Sequence, residues 1–234
     1  MTRGIHAESC WIPSVMGAIA EHLMSARIAI GLLLAAIIIL SPLAAAAADS
    51  DRPFVKHALV ISAEATFAHF GPRLGDRGLQ AWNLSARAAL LPFGVTRFAA
   101  LRGLADGALE VGLEPAFERF TSENQNFAGL GLAARYYLLH FRYGRWVPWI
   151  EAGIVPGGTD LRIGRVSNQT RLTGPFMARI QGAVGISYFM TERAAIYAGL
   201  QGQHLSNAGL NGANRNYSLN TAESVVVGLS YFIY

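Results

Sequence analysis

From Asp49 onward apolar and polar residues alternate along the chain in runs of roughly ten or more, broken by clusters of turn-forming residues, and no amphipathic helical period of useful length appears. A first run, 56–68, puts His57, Leu59, Ile61, Ala63, Ala65 and Phe67 on one face and Ser62, Glu64 and Thr66 on the other. Run 79–90 opposes Trp82, Leu84, Ala86, Ala88 and Leu90 to Asn83, Ser85 and Arg87, and run 107–119 opposes Leu109, Val111, Leu113 and Phe117 to Glu110, Glu114 and Glu118. The same period continues through 127–141, 145–155 and 174–189. Two C-terminal strands follow, one carrying Ala194, Ile196, Ala198 and Leu200 on its apolar face, the other Val225, Val227, Leu229, Tyr231 and Ile233. These segments predict an all-β fold of eight antiparallel strands.

Alternation does not say which face points inward. In a soluble barrel or sandwich the apolar face is core; in an up-and-down outer-membrane barrel it meets lipid and the polar face fills a narrow lumen. Three features favour the membrane. Glu64, Glu110, Glu114, Glu118 and Glu151 share the polar face with Arg87, Arg135 and Arg179 among small residues, as charge pairs inside a lumen do. Trp82, Tyr136, Trp146, Tyr188 and Tyr231 fall on the apolar face, where interfacial aromatic girdles lie. The chain also ends on Tyr234 inside an alternating strand. The segment 92–105, with Pro92, Gly94 and Gly103, is long for a periplasmic turn and has no evident place in this plan.

Ahead of the barrel, Arg27 precedes the apolar run Ile28–Leu40, then Ser41, Pro42 and an alanine tract. A charged start, a short apolar stretch and small residues at its end predict a signal peptide cleaved near Ala48, giving an N-terminal extension over 1–48 and a barrel domain over 49–234. A membrane-spanning helix needs about 20 apolar residues, more than this run offers. Met24 is a more ordinary start for such a leader than Met1. The composition adds little: net charge is +4, and the 18 arginines and single lysine, Lys56, are scattered without basic runs, which speaks against a nucleic-acid partner. The one cysteine, Cys10, lies in the segment expected to be removed.

The chemistry concentrates at the end of the seventh strand. His204 and Ser206 carry the parity of Leu200, so both lie on the apolar side, and Glu223 carries that of Val225 on the next strand. Residues i and i+2 on one face lie about 7 Å apart at Cα. An imidazole can therefore reach the hydroxyl, and a carboxylate from the neighbouring strand can reach its other nitrogen: nucleophile, base and orienter. If the termini are periplasmic, a span of about 9–11 residues puts all three at the outer rim, where charge on the lipid face costs least. A His and a Ser hydrogen-bonding loop backbone is the plain alternative for H-x-S by itself.

The longer string His204-Leu-Ser-Asn-Ala-Gly-Leu210, followed by Asn214 and by a glutamate opening the last strand, resembles the PagL-type lipid A 3-O-deacylases, eight-stranded outer-membrane barrels. Pro148-Trp-Ile-Glu-Ala-Gly-Ile154 is similar to a second strand of that family. The resemblance implies hydrolysis of the ester-linked 3-O-acyl chain of lipid A by His204, Ser206 and Glu223 without a cofactor. It also implies Asn214 and the Gly209 amide as oxyanion donors.

Arg162, Arg165 and Arg171 in the longest outer loop, with Arg73 and Arg77 in the first, are candidate ligands for lipopolysaccharide phosphates; a solvated loop is the alternative. His57, His69 and His140 show no metal-ligand spacing and read as surface or interfacial residues. The expected partners are lipid A, outer-membrane lipids and a second copy of the chain in a homodimer. The rival reading is a non-enzymatic barrel that stabilises the membrane or binds partners through its loops. A closed barrel predicts heat-modifiable electrophoresis: protein from outer membranes should migrate differently before and after boiling, and recovery as a soluble periplasmic protein would exclude a membrane barrel.

Overall fold

The structure, a computed structural model, describes residues 52–70, 79–97, 105–121, 124–160, 176–207 and 218–234, all within the compact unit Ala46–Tyr234. The apolar run Ile28–Leu40 and the expected cleavage point near Ala48 lie outside the described residues. Among these residues are eight long strands and one short one: β1 (Leu59–Phe70), β2 (Leu79–Leu90), β3 (Val95–Thr96), β4 (Gly107–Phe120), β5 (Gln125–Tyr137), β6 (Trp146–Thr159), β7 (Phe176–Phe189), β8 (Ala194–Ser206) and β9 (Ser218–Ile233). Each long strand pairs antiparallel with its neighbours. β1 bonds to both β2 and β9, and β2 pairs with β4, which closes the sheet into an eight-stranded up-and-down barrel. No described helix is long and apolar enough to cross a membrane.

The orientation of the faces settles the question that alternation left open. Leu84, Leu113, Leu130, Leu132, Val184 and Leu200 point outward and are more than half exposed, whereas Arg87, Glu110, Glu114, Glu118, Arg135, Glu151 and Arg179 are buried inside. A surface of leucine and valine around a core of glutamate and arginine suits lipid as solvent and would be unstable in water. The aromatic residues mark the edges of the apolar band. Phe67 and Trp82 pack at one end, with ring centroids 5.1 Å apart, and Trp146 and Tyr188 at the other, 4.7 Å apart.

The lumen is layered. At the end where β1 begins and β9 finishes Phe54, carried in by a short 3-10 turn (Arg52–Phe54), packs against Tyr137, Phe189 and Phe232 with centroids 4.9, 5.4 and 5.8 Å away. At the opposite end Phe70 and Phe120, 5.7 Å apart, join Phe127, Met177 and Leu205. Between these apolar layers lies the charged belt. The Arg87 guanidinium donates to Glu151 and to Glu114, each at 2.8 Å, and stands 3.5 Å from Glu110 and 3.9 Å from Glu64. Arg135 donates to Glu151 at 2.8 Å, and its guanidinium lies over both the Trp149 and Tyr197 rings, 4.4 and 4.1 Å from their centroids, the two rings meeting at 88°. Arg179 donates to Glu114 at 2.9 Å, and the Tyr137 and Tyr197 hydroxyls donate to Glu110 and Glu64. Glycine makes room for this packing: a Cβ at Gly185 would overlap the Trp149 ring, and one at Gly228 would overlap the Tyr197 ring.

Several boundaries differ from the periodic reading. β1 begins at Leu59 rather than 56, because His57 adopts a positive φ of 66° in the turn before it, and so it is no part of the strand face. β5 ends at Tyr137, and Leu139–Phe141 form a 3-10 turn instead of prolonging the strand. The unassigned stretch after β2 contains β3, whose Val95 and Thr96 pair with Ala108 and Gly107, so part of that segment folds back as a short hairpin arm on β4. The backbone turns there at Gly94, whose φ is +64° and whose position has no room for a side chain beside Phe54 and Lys56.

Four glutamates face Arg87, so removing its charge leaves buried carboxylates without their cation. Arg87→Met should destabilise the barrel by about 3–5 kcal/mol. Urea unfolding in lipid vesicles measures this, and an unchanged midpoint would show that the belt does not depend on Arg87.

Candidate active site

β8 delivers His204 and Ser206 to the outer surface. Its inward positions, Tyr197, Gln201, Gln203 and Leu205, are buried, while Ala198 and Leu200 are exposed and His204 and Ser206 are half-buried on that same outward side. The inward parity is locked by the lumen: the Tyr197 hydroxyl reaches Glu64 at 2.9 Å and Gln203 donates to Gln201 at 2.7 Å. Slipping β8 by one residue would put leucine in the belt and glutamine in lipid.

Counted from Ala194, His204 and Ser206 fall at or beyond the end of a bilayer-spanning stretch of about 9–11 residues. Across the strand pairs, Ile180 and Ala178 of β7 stand opposite His204 and Ser206, and on the other side stand Asn220 and Ser218 of β9. Exposed Leu200, Ile180, Val184 and Val225 form the apolar surface below the pair.

The register around Glu223 is irregular. β9 pairs Val225 with Leu200 but Asn220 with His204, so it holds one residue more than β8 over that interval. Against β1 it pairs Glu223 with His69 but Thr221 with Phe70, again one residue more. Both intervals contain Ala222, which is therefore the extra residue of a β-bulge. Bulges bend a strand and re-aim its side chains, and they recur beside active sites. Glu223 stands at a register position diagonal to His204. Sequence parity could not show the bulge, nor that Asn220 rather than Thr221 faces His204.

The remaining sequence candidates, Asn214, Gly209, Arg162, Arg165, Arg171, Arg73 and Arg77, lie outside the described residues. One group of carboxylates has metal-like spacing: oxygens of Glu64, Glu114 and Glu151 lie within 4.8 Å of one another. Arg87 lies within 3.9 Å of all three and supplies the positive charge there, so the set is part of the lumen belt.

With this arrangement on view, comparison with known proteins decides the family. The family model "Lipid A 3-O-deacylase (PagL)" matches residues 105–227, more than half of the chain and the part that carries His204, Ser206 and Glu223. The chain belongs to the PagL lipid A 3-O-deacylase family. It is thus an ester hydrolase of the cell outer membrane that acts on lipid A. Among solved structures it resembles the outer membrane enzyme PagL, at 16% identity and a TM-score of 0.53, covering 71% of this chain and 97% of that one. At that identity the likeness shows the shared barrel. Neisserial surface protein A matches at 14% identity with a TM-score of 0.48, covering 75% and 99% of the two chains. The N-terminal barrel of Pseudomonas aeruginosa OprF matches at 15% and 0.38, covering 75% and 98%. A comparison with curated proteins finds no match.

If the bulge aligns this site, deleting Ala222 should regularise β9 and lower lipid A deacylation by more than about tenfold, while heat-modifiable migration persists. Full activity of the deletion variant would remove the bulge from the argument.

Proposed function

We propose that this deacylase works as a serine esterase, with Ser206 as nucleophile, His204 as general base and acid, and Glu223 as the group that orients the imidazole. The observation that carries this reading is the outward, lipid-side placement of His204 and Ser206 together at a strand end, within the region matched by the family. The reacting ester belongs to a lipid of the same membrane, so it reaches the site laterally, and a catalytic pair on the barrel's outer wall meets it without a pocket in the lumen.

In this mechanism Ser206 Oγ attacks the carbonyl carbon of the 3-O-ester as His204 takes the hydroxyl proton. Collapse of the tetrahedral intermediate breaks the bond to the sugar oxygen, which receives the proton from His204. Water, deprotonated by the same imidazole, then attacks the acyl-serine and releases the fatty acid. Glu223 holds the productive tautomer and stabilises the imidazolium. The developing oxyanion needs N–H donors, for which the Gly209 amide and the Asn214 side chain remain the candidates. Arg162, Arg165 and Arg171 are proposed to hold phosphate groups of the substrate, and the released acyl chain leaves along Leu200, Val184 and Val225 into the bilayer.

A site that binds lipid A without cleaving it would survive mutation of the nucleophile. Ser206→Ala and His204→Ala are expected to abolish loss of a 3-hydroxyacyl chain in lipid A mass spectra, and Glu223→Ala to slow it by about 10²–10⁴-fold. Deacylation retained by Ser206→Ala would overturn the serine mechanism while leaving the family membership intact.

A further inference from the structure

β1 brings a second histidine to the carboxylate. His69 lies on the outward face of β1, half-buried, one step beyond Phe67 of the aromatic girdle. Its register partner on β2 is Gln80, and its register partner on β9 is Glu223. Residues directly opposite in an antiparallel pair have Cβ atoms about 4.5–5.5 Å apart, whereas diagonal neighbours are about 7–8 Å apart. Glu223 therefore stands directly across from His69 and diagonally from His204, with one imidazole-bearing strand on each side of it.

This placement gives His69 a role that its sequence context did not suggest. A carboxylate has two oxygens and accepts several hydrogen bonds, so two imidazoles can share it. The β9 bulge lies immediately beyond the His69–Glu223 pair, so the pair also marks the last regular rung between β1 and β9. We propose that His69 is a positioning residue: it donates from its ring to one oxygen of Glu223 and so leaves the other aimed at His204. This inference rests on the serine-esterase reading given above.

The test is a double-mutant cycle on lipid A turnover in detergent micelles, with heat-modifiable migration confirming that each barrel is folded. His69→Phe, which keeps a ring but loses the donor, should lower kcat by about 10- to 100-fold at unchanged KM. His69→Gln, which restores an N–H donor, should recover most of that loss. In a Glu223→Ala background His69→Phe should have no further effect. His69→Asn, a smaller change with a shorter reach, should behave like His69→Phe and carries the comparison if the phenylalanine variant does not fold. An unaffected kcat, a loss that appears in KM, or an equal loss in the Glu223→Ala background would each overturn the proposal. None of these outcomes affects the parent reading, which fails separately if Ser206→Ala remains active.

Discussion

The constraint on which the rest of the molecule depends is the neutralisation of charge inside a narrow lumen. Five glutamates and three arginines are buried between two apolar layers, and Arg87 alone lies within 3.9 Å of four of those carboxylates. Burying ions is costly, and the attraction between them offsets that cost only where geometry and hydrogen bonding are good. The barrel meets this demand by bringing facing side chains from β1, β2, β4, β5, β6 and β7 into one network. Trp149 and Tyr197, packed edge to face, both lie against the Arg135 guanidinium, in space opened by glycines on neighbouring strands.

Once the polar face is committed inward, the apolar face has to look out, and this decides where chemistry can occur. Aromatic layers fill both ends of the lumen. The outer wall is a sheet of aliphatic side chains on which a polar group is tolerated only near the headgroups, because the cost of charge falls from several kcal/mol at midplane to roughly 0–1 near the interface. His204 and Ser206 sit at that end of β8. On the proposed mechanism this position needs no pocket: enzyme and ester share the same two-dimensional solvent, and the substrate's acyl chains never have to leave it.

Beside the candidate site lies a local departure from regularity. One extra residue in β9 resets its pairing with both neighbours, placing Asn220 across from His204 and leaving Glu223 across from His69. A perfectly regular ladder would have put Thr221 opposite His204. The structure thus keeps strict alternation where the lumen requires it and relaxes it only beyond Glu223, where the strands leave the membrane and side-chain direction matters more than span.

The eight long strands, the partition of their faces and the charged belt are legible in the chain alone, because period-two alternation sustained over many strands admits few arrangements, and Glu64, Glu110, Glu114, Glu118, Glu151, Arg87, Arg135 and Arg179 all share the polar parity. The shared face of His204 and Ser206 is legible there as well, since i, i+2 neighbours on one strand lie on one side without help from the rest of the fold. Only the tertiary structure decided that the apolar face is the outer one, that residues after β2 form a short arm on β4, and that a bulge at Ala222 shifts the register beside the site. These depend on which strands become neighbours and in what alignment. His57, His69 and His140 look equivalent in the sequence, and pairing across β1 and β9 is what sets His69 apart, because nothing local records the register between residues more than 150 positions apart.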